Sequence, residues 1–393
     1  MTGRSRKRLF ATAKILLAGA LLAWVASQVH WRDYVVSRSD GKAYAILQAL
    51  PSADAPRKLV LRTGFLWSSG TTDPRDVAEF VPLPGSDQVI RTGFASCIAD
   101  LKTALLAVAI GANLLVMPIL AMRWRLLLRT ARIDLSFWEA LRLTFLGQFF
   151  NTVVPGTVGG DLVKAYYVSK HTPHKAAALV SVMMDRVLGL TELTLLASVM
   201  LLVVWTAGMV PVGELRLPAV LVAIILSGMV AVFVFLFSAR ARQMLRLQKL
   251  YQHLPLAHHI AAAGEVTRLY RRNVTSMVKA VLLTVLIHVT WIGSIILTGA
   301  ALSLATPWHG YFLYIPLIYT IGAVPLTPGG VGLVEKFYLV FFVTAMCSPS
   351  RVLALALLVR LTPVVVSLPG AVVAITGAKL PKTEAMKAEL GIK

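Results

Sequence analysis

The sequence PGTVGG, at residues 155–160, interrupts an apolar stretch that runs from residue 137 to residue 170. A second interruption, TPGGVG at residues 327–332, lies inside the apolar stretch 311–347. Proline removes a backbone donor and clashes with the preceding turn, and glycine adopts conformations that other residues avoid. We therefore predict that a helix is broken at each interruption, within segments that are otherwise apolar enough to enter a membrane.

The composition is that of a membrane protein. The chain of 393 residues is 57% hydrophobic and only 15% charged, whereas soluble domains carry about 25% charged residues. Six further stretches approach the roughly 20 apolar residues that cross a bilayer. They are 9–29, 103–122, 187–208, 218–238, 280–304 and 351–377. These stretches predict an all-α polytopic protein with six spanning helices, located in a cell membrane.

The net charge of +21 is distributed unevenly along the chain. Residues 30–100 hold 8 basic and 8 acidic residues, so the other residues hold 31 basic and 10 acidic ones. These basic residues cluster at the ends of apolar stretches, within 4–14, 123–132, 240–279 and 379–393. The positive-inside rule explains such clusters as cytoplasmic edges. We therefore exclude nucleic acid as a partner and expect both termini to be cytoplasmic.

The same clusters constrain the two broken segments. If all four clusters are cytoplasmic, the six spans alternate correctly when each broken segment enters and leaves the membrane on one side. The first would then dip in from the cytoplasm and the second from outside, as two re-entrant hairpins. Two full crossings per broken segment would satisfy the same count. We favour hairpins because residues 161–170 and 333–347 are short for independent spans.

Residues 30–100 form an insert of a different kind. Between residues 31 and 91, short apolar runs alternate with the turn signals Asp40-Gly41, Asp73-Pro74 and Pro84-Gly85. This pattern predicts a small β-rich extracytoplasmic module, and a disordered loop is the alternative. The module would follow a first segment, 1–29, and precede a transmembrane domain, 101–377, and a cytoplasmic tail, 378–393. It is also a candidate contact for an envelope protein.

The two broken segments resemble each other. When Asp161 is aligned with Glu335, Arg186 falls on Arg360. Each glycine-rich break is thus followed by a carboxylate and then, at the same distance along the chain, by an arginine. Segments of this kind that enter from opposite faces form an inverted repeat, whose sites lie near the midplane in transporters. We predict that each carboxylate pairs with its arginine, either as a structural contact alone or also as a substrate contact.

The residue types around the breaks suit an anion. A broken helix leaves backbone donors that are tolerated only in a polar cavity, and a helix N-terminus carries partial positive charge. Arg186 and Arg360 offer paired donors for phosphate, and Lys164 and Lys336 could each add a point charge. We expect an anionic or phosphate-bearing membrane lipid as partner. Cys97 and Cys347 have no metal-ligand spacing, and we expect no cofactor or metal.

Four motifs resemble one known family. They are RWRLLLR (123–129), FLGQFFNTVVPGTVGGDLVKAYYV (145–168), DRVLGL (185–190) and PLTPGGVGLVEKFY (325–338). In this order they closely resemble the lysylphosphatidylglycerol synthase transmembrane region, also called flippase-like, over roughly residues 100–376. The resemblance implies a multi-pass module, which in the multiple peptide resistance factor moves aminoacylated phosphatidylglycerol between leaflets. Relatives without the synthase domain are linked to polyprenyl-phosphate sugars or other lipids.

The resemblance also implies a site. Its residues would be Asn151, Pro155, Gly159, Gly160, Asp161, Asp185 and Arg186, together with the second hairpin, including Pro328, Gly329, Gly330 and Glu335. The sequence has no room for the aminoacyl-transferase domain of the full synthase, so we do not expect synthase activity. We expect a translocase for a phospholipid, an aminoacyl-phospholipid or a polyprenyl-phosphate-linked substrate. The alternatives are a non-transporting partner of an envelope enzyme and a membrane-embedded lipid-phosphate enzyme.

Overall fold

A computed structural model describes residues 3–50, 58–63, 70–71, 75–82, 89–153, 159–170, 172, 175–237, 272–324, 326–344 and 346–376. The chain divides into two compact units. Unit 1 comprises Met1–Ala107, Ile296–Pro307 and Leu326–Arg360. Unit 2 comprises Val108–Ile295, Trp308–Pro325 and Leu361–Lys393. Pro155 of the first break, residues 238–271 of the basic segment and the predicted tail lie outside the described residues.

Helices dominate the described residues. They are α1 (Gly3–Ser27), α2 (Phe94–Ala99), α3 (Thr103–Thr130), α4 (Phe137–Val153), α5 (Gly159–Ser169), α6 (Lys175–Thr206), α7 (Val212–Phe237), α8 (Val274–Ala301), α9 (Trp308–Gly322), α10 (Leu333–Phe342) and α11 (Pro349–Thr376). Five of them contain stretches long and apolar enough to cross a membrane: α3, α6, α7, α8 and α11. The apolar part of α1 found in the described residues is shorter, Thr12–Ser27. The all-α polytopic class is therefore confirmed, and α1 as a sixth span stays a prediction.

Two helices extend well beyond the predicted spans. Helix α3 continues to Thr130 rather than ending near residue 122, and α6 begins at Lys175 rather than near residue 187. The sequence prediction ends each span where charged residues appear. Several of those charged side chains pair with one another inside the protein, so they do not mark the ends of the helices.

The helices that follow the two breaks are short. Helix α5 has 11 residues and α10 has 10, which at about 1.5 Å per residue gives roughly half of a hydrocarbon core about 30 Å thick. At the second break, Pro328–Gly330 forms a single 3-10 turn. Gly329 and Gly332 have φ of +59° and +78° there, values that side chains with a Cβ rarely adopt. The break is therefore built from glycine for a conformational reason.

Helices α4 and α5 double back on each other in unit 2. The Gly160 amide donates to Asn151 Oδ1 at 2.8 Å, and a Cβ added to Gly147 would lie 2.8 Å from Lys164 Cδ. Contacts therefore run forward along α4 while they run backward along α5, so the two helices are antiparallel. This is the arrangement expected of the first hairpin. The second hairpin stays a prediction, because α9 belongs to unit 2 and α10 to unit 1.

The insert forms an antiparallel sheet in unit 1. Its strands are β1 (Tyr34–Val36), β2 (Ala43–Leu50), β3 (Lys58–Thr63), β4 (Gly70–Thr71) and β5 (Arg75–Asp76). They follow the order β1-β2-β3-β4, and β5 also pairs with β3. A small apolar core lies beneath them, consisting of Val35, Leu59, Leu61, Phe80 and Val89. The predicted β-rich module is confirmed, and its extracytoplasmic location stays a prediction.

Four helix ends meet beside this module, all within unit 1. Three contacts join them: Ser350 Oγ to the His30 carbonyl at 3.0 Å, the Lys102 amide to the Ala301 carbonyl at 3.0 Å, and Arg351 Nη1 to the Ser303 carbonyl at 3.3 Å. The end of α1, the starts of α3 and α11 and the end of α8 therefore lie together. The predicted topology requires this grouping, because it places these four ends on one side of the membrane.

Candidate functional site

The first predicted ion pair is present in unit 2. Asp161 lies in the first turn of α5, and its Oδ2 is 2.5 Å from Arg186 Nε on α6. The Asp161 side chain is 18% exposed and that of Arg186 is 43% exposed. The carboxylate is thus mostly enclosed, while the arginine side chain is partly exposed.

The second predicted pair is present in unit 1, and its two residues have the same separation along the chain as those of the first. Glu335 Oε1 lies 2.5 Å from Arg360 Nε, with side-chain exposures of 3% and 33%. Arg360 also donates from Nη1 to the Gly329 carbonyl at 3.2 Å and from Nη2 to the Gly330 carbonyl at 3.3 Å. Arg360 therefore ties α11 to the backbone of the second break as well as to the carboxylate.

Backbone donors at both breaks already have partners within the chain. At the first break, Asn151 accepts from the Gly160 amide. At the second, Glu335 Oε2 accepts from the Gly332 amide at 2.7 Å, in the manner of a helix-capping carboxylate. These two amides are therefore not free for a ligand, contrary to the expectation from sequence. Each break instead lies beside an arginine whose side chain is partly exposed, Arg186 or Arg360.

A third cluster of charges lies deeper in unit 2. Arg123 on α3 is only 4% exposed, and its Nη2 lies 2.9 Å from Asp185 Oδ1. Its Nη1 donates to Thr284 Oγ1 on α8 at 3.1 Å. Lys164 Nζ lies 3.8 Å from Asp185 Oδ2 and 4.0 Å from the centroid of the Trp124 ring. We call Arg123, Lys164 and Asp185 the buried triad.

The buried triad corrects two expectations from sequence. Charge counting places Arg123 at the exposed cytoplasmic edge, but it is the partner of Asp185. Lys164 is expected to offer its charge to a ligand, yet it contacts Asp185 and packs over a tryptophan ring. A helical wheel contains a signal for Arg123: Arg125 and Arg129 are about one turn apart and share a face, whereas Arg123 falls on the opposite side.

Lys336 and two other ionisable residues have more local surroundings. Lys336 Nζ lies 5.3 Å from the centroid of the Trp24 ring on α1, so its contact is with that helix. His288 Nδ1 lies 3.2 Å from the Thr284 carbonyl, which is typical of a core histidine. Both carboxylate oxygens of Glu192 are buried and have no hydrogen-bond partner among the described residues. No cluster of three or more metal-ligating side chains occurs in the described part of the chain.

The comparison with protein families agrees with the motifs. The family model described as the lysylphosphatidylglycerol synthase TM region matches residues 89–370. The chain belongs to this family. No curated protein matches the chain. The family region contains both ion pairs and the buried triad, whereas α1 and most of the β-rich module precede it. The chain is therefore a membrane protein of the lysylphosphatidylglycerol synthase TM family, and its residues 1–88 lie outside the matched region.

Proposed function

We propose that the chain is a translocase that moves a phosphate-bearing lipid between membrane leaflets. The observation that carries this proposal is the repeated arginine–carboxylate pair, one beside each helix break. In both pairs the carboxylate is largely enclosed and the arginine is partly exposed. Ionisable groups at membrane depth are costly and tend to mark substrate pathways. Membership of the family supports the proposal as well.

The geometry suggests how substrate would be held and released. Arg186 and Arg360 each use Nε for a carboxylate, and both side chains are partly exposed. Arg360 also donates from its terminal nitrogens to two carbonyls of the second break, so a phosphate would add to these contacts at the exposed edge. A lipid phosphate would share the guanidinium with Asp161 or Glu335, and it would not need to replace them. When the lipid leaves, the carboxylate keeps the arginine neutralised. Binding therefore remains reversible, which transport requires.

Leaflet exchange in proteoliposomes tests this proposal. Phosphatidylglycerol, its lysyl ester or a polyprenyl phosphate, each with a fluorescent label, should become accessible to an impermeant quencher faster than in protein-free vesicles. The Arg186→Gln, Arg360→Gln double variant should lose this acceleration while it remains folded. The Arg216→Gln variant changes an exposed arginine on α7 and should retain the acceleration. Chemical conversion of the lipid would instead identify an enzyme, and the absence of both effects would favour a non-transporting partner.

We also propose an orientation with both termini in the cytoplasm and the β-rich module outside. Ser39→Cys, at an exposed position of the module, should react with an impermeant maleimide in intact cells. Thr275→Cys, exposed at the start of α8, should react only after permeabilisation. Both native cysteines are buried, and burial raises the pKa of the Cys97 thiol, so they should add little background. Labelling of Thr275→Cys in intact cells would reverse the orientation.

A further inference from the structure

A groove between α3 and α8 in unit 2 lies apart from both helix breaks. Its volume is about 460 Å³, within the range of about 300–1,000 Å³ that is usual for ligand sites. Each helix contributes four residues at spacing i, i+3, i+4 and i+7, beginning with Met122 on α3 and Lys279 on α8. This spacing places them on one face of each helix. We call this feature the α3–α8 groove.

The two helices are antiparallel in a fixed register. Asn113 Nδ2 donates to Ser294 Oγ at 3.1 Å, and Arg123 Nη1 donates to Thr284 Oγ1 at 3.1 Å. The two contacts are separated by the same length of chain on both helices and run in opposite directions. The last turns of α3 therefore lie beside the first turns of α8. Arg125, Arg129 and Lys279 consequently share one end of the groove.

The rest of the groove is apolar and open at its side. Leu126 and Leu283 are partly buried, whereas Leu282 and Leu286 are exposed. Both helices are candidate membrane spans, so this open side would face hydrocarbon. The groove therefore combines a basic end with an apolar length. That is the chemistry of a lipid with an anionic head group and an acyl chain.

At the basic end of the groove, some side-chain hydrogen-bond donors have no partner among the described residues. Arg125 uses Nε for the Leu135 carbonyl at 2.8 Å, and Arg129 uses Nε for Asp134 Oδ1 at 3.0 Å. These contacts orient the two guanidinium groups and leave donors on their terminal nitrogens. Lys279 is exposed and makes no ion pair within the described part of the chain. Charge complementarity therefore favours an anionic occupant.

Charge also argues against the undescribed segments of the chain itself as occupants of the groove. Residues 238–271 contain six basic residues and one acidic residue, and residues 377–393 contain four basic and two acidic residues. Either segment would bring positive charge to an end of the groove that is already positive. We infer that the α3–α8 groove binds an anionic phospholipid, with its phosphate at Arg125, Arg129 and Lys279 and an acyl chain along the leucines. This site is independent of the translocase function proposed above.

Photo-cross-linking tests the site without any transport step. A photoreactive phenylalanine analogue replaces Leu286 in the full chain, which is reconstituted in phosphatidylcholine vesicles that contain phosphatidylglycerol with the same acyl chains. Phosphatidylglycerol should be enriched in the cross-linked lipid above its mole fraction. Lys279→Gln should reduce this enrichment about fivefold, because one basic side chain near an anionic lipid contributes that much. Lys279 is chosen for substitution because it is exposed and makes no ion pair within the described residues.

Two control variants show whether the enrichment of phosphatidylglycerol depends on the α3–α8 groove. Arg216→Gln, which removes an arginine from a second groove between α6 and α7, should leave the enrichment unchanged. Arg186→Gln should also leave it unchanged, which separates this site from the helix breaks. Equal cross-linking of the two lipids, or enrichment that survives Lys279→Gln, would overturn the inference. Cross-linking to a peptide of the chain itself would overturn it too, because the groove would then be filled by protein.

Discussion

Replacement of Arg123 by methionine should lower the free energy of unfolding by about 3–5 kcal/mol, the usual cost of leaving a buried charge without its partner. Methionine preserves most of the length and apolar packing of the arginine, so the loss reports on charge. Among the described residues, Asp185 would keep only Lys164 as a charged partner, with its ammonium 3.8 Å away. Chemical unfolding of the purified protein in a neutral detergent, together with the yield of folded protein, measures the effect.

A double-mutant cycle shows whether the loss arises from the pair. Arg123→Met combined with Asp185→Asn should destabilise the protein less than the sum of the two single variants, because the second change removes the unpaired charge. Arg129→Met on the same helix is the matched control. Its pair with Asp134 is exposed on both sides, and such pairs contribute about 0–1 kcal/mol. Equal losses for Arg123→Met and Arg129→Met would show that the buried triad is not a stabilising unit.

Replacement of Glu335 by alanine should have a similarly large effect, about 3–5 kcal/mol. The change removes the acceptor for Arg360 and also the acceptor for the Gly332 amide. Glu335→Gln should cost less, because its amide oxygen can still accept one of these two hydrogen bonds. Thermal unfolding monitored by helical circular dichroism distinguishes the two variants, since α10 should lose its start when the cap is missing.

The control for Glu335→Ala is the same change at an exposed glutamate in the first turn of another helix. Glu214 is exposed in the first turn of α7, and Glu214→Ala should cost no more than about 1 kcal/mol. Adding Arg360→Met to Glu335→Ala should recover part of the stability by removing the unpaired arginine. If Glu335→Ala is as mild as Glu214→Ala, then Glu335 does not hold the second break in place.

The two helix breaks and the two ion pairs could be predicted from the sequence. A charged side chain at membrane depth has few possible partners, so the carboxylate after each break and the arginine further along the chain pair almost by necessity. The β-rich module is also predictable, because strand and turn signals alternate there. These features depend on local pattern or on strong energetic penalties, and both are visible in a single sequence.

The features that sequence reasoning misses depend on contacts between distant segments. Arg123 is wrongly placed at the surface because charge counting at helix ends does not record which face of the helix a residue occupies. The Asn151 and Glu335 contacts to backbone amides depend on the shape of each break, which glycine leaves undetermined by sequence. The α3–α8 groove requires the pairing of helices that lie far apart in the chain. No periodicity within either helix reveals that pairing.

Gly332 satisfies two requirements that come from different parts of the chain. A Cβ at this position would lie 2.8 Å from Leu21 Cβ and 2.9 Å from the Ala18 carbonyl of α1, so α1 occupies the space that a side chain would need. The family region begins at residue 89, after α1. Gly332 therefore meets two separate requirements, one set by its backbone conformation within the family region and one by its contact with α1 outside it. Removal of α1 should relieve only the second requirement, so a side chain at this position should remain strained even without the helix.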